Sequence, residues 1–410
     1  MLTHLDFPQD EAASGARTVV ETLRKAGFEA YVVGGAVRNL VMGIKPSDYD
    51  VTTSAPPDVV LGLFRRTVPV GAQFGVVRVL MGGREYDVAT FRADEGYSDG
   101  RRPDRVRFTD LAEDVRRRDF TMNALAMDPF TGEVIDLVNG IEDIRARLIK
   151  AVGDPRQRFA EDRLRPLRAV RFAAQTGFKI EEGTLDAIRE LAQGVASVSA
   201  ERVRDELHKI LLSAHPGYGL RLLYHTGLAA VVLPELKSDF ERIASTLDRL
   251  VGKEPDALWA ALCLLDGPGA AEQVLARLRH STRLRKAVLG IIRDAAAIRT
   301  LPSKDIAVEK RILRSDLIDK ALACLDAYSL SGGEGRASVS YARDRLSLWT
   351  KEDLDPLPLV TGHDALAAGV EEGPSVARAL TAIQDEQLRG NITTKEQALD
   401  FLRSFAKTRS

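Results

Sequence analysis

The chain has 410 residues, of which 45% are hydrophobic and 29% charged, a composition that excludes a disordered or collagen-like protein and provides for about two or three domains. Its 58 Lys and Arg residues against 59 Asp and Glu residues give a net charge of −1, which excludes a protein that coats long nucleic acids non-specifically. Any contact with nucleic acid should therefore be a local basic strip. The two cysteines, Cys263 and Cys324, are too few for a disulfide framework or a four-ligand zinc site, so we expect buried thiols in a reducing compartment.

The N-terminal sequence MLTHLDFPQDEA contains acidic residues early and lacks the apolar core of a signal peptide. No apolar run approaches the roughly 18 residues that a membrane span needs. The sequence therefore predicts a cytoplasmic protein that does not contact the membrane.

Four β-branched runs predict strands in the first third of the chain, and helical segments such as the one through Val20 and Leu23 accompany them; the runs are residues 30–35, 48–53, 75–81 and 84–91. Beyond Asp136 the apolar residues recur every three or four positions, with breaks at Gly and Pro and no convincing strand pattern. The predicted fold class is α+β, with an N-terminal mixed α/β head that contains a small sheet and an all-helical remainder. The predicted domains are residues 1–140, 141–212, 213–300 and 301–410.

The strongest local signal is VVGGAVRNLVMGIKPSDYDVTT, residues 32–53. A predicted strand leads into Gly34 and Gly35, which allow a tight backbone turn with N–H groups directed at an anion. A helix then begins, and the N-terminal end of a helix favours phosphate.

Acidic residues follow this turn. Asp48 and Asp50 are separated by one residue at the start of a predicted strand, so their carboxylates face the same side, and Asp87 lies on a later strand. Three carboxylates suit hard divalent cations, and two such ions can clamp a nucleoside triphosphate for in-line attack. Taken singly, the glycines are compatible with an ordinary turn, and the acids are compatible with a solvated strand edge. Taken together with Arg38, these residues favour a site for divalent cations and a nucleoside triphosphate.

The pattern GGxVRD followed by DxD resembles the head of the class II tRNA nucleotidyltransferases and bacterial poly(A) polymerases, within the polymerase-beta-type nucleotidyltransferase superfamily. The resemblance implies that Asp48 and Asp50 hold Mg²⁺ in a two-metal site and that Asp87 orients or activates the primer 3′-hydroxyl. It assigns the triphosphate to three residues, Gly34, Gly35 and Arg38. Asn39 stands where the family usually has Asp, which leaves the role of this side chain open.

A second motif of the same family matches RRDFTMNALA, residues 117–126. The resemblance assigns Arg118, Asp119 and Asn123 to contacts with the ribose and the phosphates. These residue types are suitable, because Asp and Asn can bind ribose hydroxyls and Arg can bind a phosphate through two N–H groups. In isolation the segment would be typical of a charged surface.

The segment RFAEDRLRPLRAVRF, residues 158–172, matches the family motif EDxxRxxR. The resemblance assigns base recognition to Asp162, Arg165 and Arg168, with Glu161 in support. Their spacing of three predicts a row on one helix face, and a helix that starts near residue 162 would accommodate Pro166 in its first turn.

The chemistry of the bases agrees with this assignment. Cytosine and adenine each present an amino donor beside a ring-nitrogen acceptor, so an accepting Asp and a donating Arg can bind both bases. An intrahelical salt bridge is the alternative for such a pair.

Three further segments bear on the member of the family. Residues 94–108 resemble the flexible loop of CCA-adding enzymes that CC-only enzymes lack, and residues 69–79 resemble the CCA-adding pattern. The last sixty residues hold seven Lys or Arg and ten Asp or Glu, which argues against a processive binder of long RNA. The dipeptide His363-Asp364 is interpreted as a helix cap or loop pair.

The sequence therefore predicts an enzyme that adds or repairs the 3′-terminal CCA of tRNA from CTP and ATP without a template. In this interpretation residues 141–212 recognise the nucleotide base and residues 301–410 bind the tRNA acceptor arm. Three alternatives stay open: a poly(A) polymerase or an A-only or CC-only enzyme, a small-molecule nucleotidyltransferase, and a non-catalytic RNA-binding protein.

Overall fold

The computed structural model describes residues 3–96, 100 and 105–407. The chain divides into two compact units, Met1–Pro234 and Glu235–Ser410. The predicted fold class is confirmed, because a mixed α/β region with a sheet is followed by helices. The fourfold division of the chain stays a prediction.

The first unit contains the strands. They are β1 (Thr3–His4), β2 (Ala30–Val33), β3 (Asp50–Thr53), β4 (Thr67–Gly71), β5 (Val76–Met81), β6 (Arg84–Thr90), β7 (Arg92–Glu95), β8 (Arg105–Phe108), β9 (Leu125–Met127), β10 (Glu133–Asp136), β11 (Leu148–Ile149) and β12 (Lys179–Ile180). Its α-helices are α1 (Glu11–Lys25), α2 (Gly35–Val41), α3 (Pro57–Leu63), α4 (Leu111–Arg116), α5 (Gly140–Arg145), α6 (Pro155–Glu161), α7 (Arg165–Thr176), α8 (Glu182–Leu191), α9 (Ala200–Leu211), α10 (Pro216–His225) and α11 (Leu228–Val232).

Eight strands form the main sheet in the order β1-β10-β9-β2-β3-β6-β5-β4. The β3–β6 pair is parallel and the other neighbours are antiparallel. Val32, Val51 and Val88 on β2, β3 and β6 are buried, so the hydrophobic effect holds these three strands at the centre of the sheet. All four predicted strands are present, and β6 and β3 carry the acidic residues discussed below.

Helix α1 packs against β2 and β3. The side chain of Asp10 caps its first turn by accepting from the Ala13 N–H, and the buried side chains of Val19, Val20 and Leu23 form its apolar face. Burial of such side chains contributes about 1.5–3 kcal/mol each, so this face anchors the helix on the sheet.

Two predictions for the chain beyond Asp136 are wrong in detail. Strands β11 and β12 pair in parallel over two residues, too short for an alternating pattern to be visible in the sequence. The expected helix from residue 162 begins at Arg165 instead, because Asp162 has extended backbone angles and ends α6. The predicted location of Pro166 in the first turn of α7 is confirmed.

Within the described part of the second unit, all regular structure is helical. The helices are α12 (Phe240–Asp248), α13 (Pro255–Cys263), α14 (Gly267–Arg277), α15 (Thr282–Ile298), α16 (Ile306–Leu313), α17 (Ile318–Leu330), α18 (Arg336–Leu348), α19 (Lys351–Leu354), α20 (Gly362–Ala367), α21 (Pro374–Arg389) and α22 (Lys395–Lys407).

Two expectations for the second unit are confirmed. Cys263 and Cys324 are buried free thiols, and Asp364 is a helix-capping residue that forms a reciprocal capping box with Thr361. Of the helices in the described ranges, each is too short or too polar to cross a membrane.

Candidate active site

A cavity of about 870 Å³ lies in the first unit. Residues from three of the sequence motifs line it together: Gly34, Gly35, Arg38, Asp48, Asp50, Asp87, Arg118, Asp119, Asn123, Asp162, Arg165 and Arg168. Segments more than a hundred residues apart in sequence thus contribute to one concave surface.

The acidic residues lie on adjacent central strands. Asp50 is the first residue of β3 and pairs with Val33 of β2. Because Val51 pairs with Val88, Asp50 and Asp87 occupy equivalent positions one residue earlier on parallel strands. Asp48 precedes β3 by two residues and accepts from the Ser47 hydroxyl at 2.8 Å.

The crowding of these carboxylates affects their ionisation. Asp50 is accessible from the cavity, but protein atoms surround it, and this partial desolvation is the largest cause that raises its pKa to about 6. The negative charges of Asp48 and then Asp87 raise it further. A bound cation would relieve this repulsion, and carboxylate oxygens are the ligands that Mg²⁺ prefers, so the residues fit a magnesium ion.

Asp87 has a cationic neighbour that the sequence analysis missed. Arg78, directly opposite on β5, donates from Nε to Oδ1 of Asp87 at 2.7 Å and from Nη2 to Oδ2 at 3.1 Å. Across the described ranges, no three His, Cys, Asp or Glu side chains are arranged to hold one metal ion together. Both carboxylate oxygens of Asp87 are therefore engaged by Arg78, and the alternation in VVRVLM could have indicated that Arg78 shares a face of the sheet.

The glycine turn requires glycine at its first position. Gly34 has φ +71° and ψ −131° and immediately precedes α2, and an L side chain is strained at such a positive φ. Arg38, one turn into α2, donates to Oδ1 of Asn123 at 2.8 Å and to Oδ1 of Asn39 at 3.1 and 2.9 Å. The unusual Asn39 therefore orients the Arg38 guanidinium through its amide oxygen.

Asp119 accepts four hydrogen bonds at the cavity wall. It accepts from Nε and Nη2 of Arg168 at 2.9 and 2.6 Å, from the Phe120 N–H at 2.8 Å and from Nδ2 of Asn123 at 3.2 Å. Burial pushes the pKa of Asp119 upward, but the charge and hydrogen bonds of Arg168 outweigh this effect, and the pKa falls to about 2. Arg118 beside it is held by Nη2 against Oδ2 of the buried Asp114 at 3.0 Å.

The predicted row of Asp162, Arg165 and Arg168 on one helix face is wrong, because Asp162 lies outside α7. All three side chains nevertheless line the cavity. The expected alternative, an Asp162–Arg165 salt bridge within a helix, is replaced by a contact from α9, since Nη2 of Arg202 donates to both oxygens of Asp162 at 3.1 and 2.8 Å.

Arg165 is fixed from behind the cavity wall. Its Nη1 donates to Oε2 of Glu161 and to the Arg158 carbonyl, both at 2.9 Å, and its Nη2 donates to the Arg117 carbonyl at 3.1 Å. Glu161 also pairs with Arg158. Glu161 thus contacts the guanidinium of Arg165 as a support.

The sequence analysis missed several residues of the cavity wall, notably Arg171, Phe172, Gln175 and Lys209. Arg171 lies three residues after Arg168, which itself lies three residues after Arg165. This periodicity could have identified Arg171 as a residue of the cavity wall. Phe172 carries no such signal.

The segment that resembles the flexible loop is described only in part. Its flanks pair as the antiparallel strands β7 and β8, and residues 97–99 and 101–104 lie outside the described residues.

Comparison with known proteins gives the class. Residues 30–150 match the family described as "Poly A polymerase head domain", residues 177–240 match "Probable RNA and SrmB- binding site of polymerase A", and residues 253–402 match tRNA nucleotidyltransferase domain 2. The fold and the cavity thus define a nucleotidyltransferase.

Relatives that match nearly the whole chain identify the family within this class. The chain is 36% identical over 388 residues to a CCA-adding enzyme of Levilactobacillus brevis, covering 94% of this chain and 96% of that protein. It therefore belongs to the family of CCA-adding enzymes. The crystal structure of the Bacillus stearothermophilus CCA-adding enzyme in complex with CTP is 30% identical, with a TM-score of 0.78 and coverage of 98% and 99% of the two chains. The Thermotoga maritima CCA-adding enzyme complexed with tRNA_CCA shares the fold at 19% identity, with a TM-score of 0.71 and coverage of 98% and 99%.

Proposed function

We propose that this chain builds or repairs the 3′-terminal CCA of tRNA from CTP and ATP by Mg²⁺-dependent nucleotidyl transfer without a nucleic-acid template. The observation that carries the proposal is the common cavity: the acids Asp48 and Asp50 and the base-recognition candidates Asp162 and Arg165 line the same walls. The CTP complex of the 30% identical relative supports CTP as a substrate.

Asp48 and Asp50 hold Mg²⁺ in this proposal. When bound there, Mg²⁺ supplies charge neutralisation for the triphosphate and polarises its P–O bonds. In this proposal the triphosphate binds at Gly34, Gly35 and Arg38. The positive φ of Gly34 supports this role, because it allows a tight backbone turn at the start of α2.

The transfer itself forms one bond and breaks one. The 3′-hydroxyl oxygen of the RNA attacks the α-phosphorus, and the bond from that phosphorus to the β-phosphate oxygen breaks, so pyrophosphate leaves. Asp87 orients the hydroxyl and accepts its proton at a carboxylate oxygen. Arg78 fixes that carboxylate through its two-pronged contact.

The base is selected by hydrogen bonds from protein side chains. Asp162 accepts from the exocyclic amino group of cytosine or adenine, and Arg165 donates to the adjacent ring nitrogen. The contacts of Arg202 with Asp162 and of Glu161 with Arg165 orient the two groups. Uracil and guanine present a carbonyl where Asp162 needs a donor.

Three further residues contact the ribose and the phosphates in this proposal: Arg118, Asp119 and Asn123. Arg168 takes part in base recognition with Asp162 and Arg165 in this proposal; it lines the same cavity and donates to Asp119. The helical second unit contributes the binding of the tRNA acceptor arm. We also propose that the enzyme works in the cytoplasm, which the free buried thiols of Cys263 and Cys324 support.

The test is to supply the purified enzyme with tRNA that lacks CCA, Mg²⁺ and each nucleoside triphosphate alone or in combination, and to sequence the products. We expect two C residues with CTP alone, a complete CCA with CTP and ATP, and no addition of U or G. Long A tracts would identify a poly(A) polymerase, and products that stop at CC or need a pre-existing CC would identify a partial enzyme. A lack of any RNA labelling would overturn the proposal.

A further inference from the structure

Phe172 occupies a position in the cavity that no motif of the sequence singles out. It lies on α7, lines the cavity and is 6% exposed. The edge of its ring is held against Phe120, with ring centroids 5.7 Å apart and an interplanar angle of 80°. The ring is therefore a fixed part of the cavity wall.

Three guanidinium groups surround this ring. The Cζ atoms of Arg38, Arg168 and Arg171 lie 5.3, 5.5 and 4.0 Å from its centroid. Arg38 comes from α2, whereas the other two come from α7, so the ring connects two segments that are distant in sequence. A cation within about 6 Å of an aromatic centroid is attracted by the ring quadrupole.

The cavity around this cluster holds more positive than negative charge. The acidic partners of the cluster are Asp119, which binds Arg168 at 2.6 Å, Glu206, which lies 2.8 Å from Nε of Arg171, and Asp48, whose charge acts on Arg38. Among the described residues that line the cavity, however, seven Arg or Lys side chains stand against five Asp side chains. Burial lowers the pKa of Arg171 to about 10, and the neighbouring charges of Arg168 and Arg38 act in the same direction.

Cations that are crowded, partly removed from water and not fully neutralised by carboxylates favour the binding of an anion. We propose that Phe172 is a positioning residue, which fixes Arg38 and Arg171 at the spacing needed to bind the polyphosphate of the incoming nucleotide and holds the base-recognition candidate Arg168 beside them. The identity of the nucleotide in this inference rests on the proposed function, whereas the binding of the polyphosphate itself does not depend on it.

The test variant is Phe172→Leu, which removes the aromatic ring but keeps an apolar side chain. The measurement is the binding of inorganic tripolyphosphate to the full chain without Mg²⁺. We expect the dissociation constant to rise by about tenfold, because the guanidinium groups lose the orientation that the ring imposes on them. The KM for CTP and for ATP should rise by a similar factor, whereas kcat should change little. Phe172→Tyr keeps the ring and should restore binding.

Phe178→Leu is the matched control. Phe178 is also buried and also carries a guanidinium over its ring, that of Arg147 at 5.1 Å, but it is not part of the cavity wall described above. This variant should bind tripolyphosphate as the wild type does. Equal losses in both variants, or an unchanged dissociation constant in Phe172→Leu, would overturn the inference.

Two safeguards keep the result interpretable. If Phe172→Leu lowers the thermal midpoint strongly, Arg171→Gln replaces it and must also weaken tripolyphosphate binding, or the inference fails. Failure of the proposed function gives a different pattern: ring-dependent tripolyphosphate binding would persist while CCA addition to tRNA is absent.

Discussion

At the scale of single residues, Asp50 shows how partial desolvation and neighbouring carboxylates lower the stability of the fold near neutral pH. Its carboxyl group faces the cavity beside Asp48 and Asp87, and its pKa rises from 3.8 to about 6. The folded protein therefore binds a proton more tightly than the unfolded chain between these values. The contribution of Asp50 to the free energy of unfolding decreases as the pH rises through this window.

Replacing Asp50 with Asn should consequently stabilise the metal-free protein at pH 7.5. We expect a rise of a few degrees in the thermal midpoint, a difference from the wild type that shrinks toward pH 4, and loss of nucleotidyl transfer. Thermal unfolding across pH 4–8 in EDTA measures this. Asp186→Asn is the control, since Asp186 is half exposed in α8 and pairs with Arg189. A variant less stable than the wild type at pH 7.5 would contradict the account.

The sequence was most informative about the chemistry of single residues. The positions of Asp48, Asp50, Asp87 and Asp119 in the cavity follow from motifs that place carboxylates beside strands and turns. Strand alternation could indicate the face on which Arg78 lies but not its partner, which depends on cross-strand register, and Phe172 could not be found because its contacts depend on how α2 packs against the rest of the wall. Such contacts arise only in the folded chain.

At the scale of elements, the break between α6 and α7 is the main departure from expectation. A spacing of three residues predicts one continuous helix face, but Asp162 has φ −134° and ψ 105° and ends α6. Its carboxylate accepts from the Leu164 N–H at 3.1 Å and from Arg202 of α9. These hydrogen bonds compensate for the interruption, and they depend on a helix forty residues away that local periodicity cannot reveal.

The connection between β10 and α5 illustrates a close approach that only glycine permits. A Cβ atom on Gly140 would lie 2.2 Å from the Thr121 carbonyl oxygen, and the Gly140 N–H donates to Asp136 at 2.9 Å. The lack of space for a side chain at Gly140 is therefore a property of the packing.

Gly140→Ala should therefore lower the free energy of unfolding by about 3 kcal/mol, because backbone atoms must move to admit the methyl group. Gly62→Ala is the matched control: Gly62 is an exposed helical residue with nothing within 4 Å of its added Cβ, and it should gain about 0.5 kcal/mol. Urea denaturation of both variants makes the comparison. Equal stability of the two would contradict the geometry.

At the scale of the whole molecule, the net charge of −1 concealed a concentrated cationic wall. Nine Lys or Arg residues against three Asp or Glu lie between Arg145 and Arg171, and the cavity contains Arg165, Arg168 and Arg171 from this segment. It adds Arg38 from another segment. Composition could exclude a global basic field, but only the fold determines which of the charges converge.

The most direct test of the account concerns selection of the nucleotide by protein side chains. In the proposed mechanism Asp162 is the acceptor that distinguishes the amino group of cytosine from the carbonyl of uracil, a contact of the kind worth about 1–3 kcal/mol of discrimination. The measurement is the ratio of kcat/KM for CTP to that for UTP on tRNA lacking CCA, in the wild type and in Asp162→Ala. We predict that the ratio falls by about tenfold to a hundredfold, whereas Asp186→Ala leaves it unchanged. An Asp162→Ala enzyme that remains active with the wild-type ratio would contradict the claim that the protein surface replaces a template.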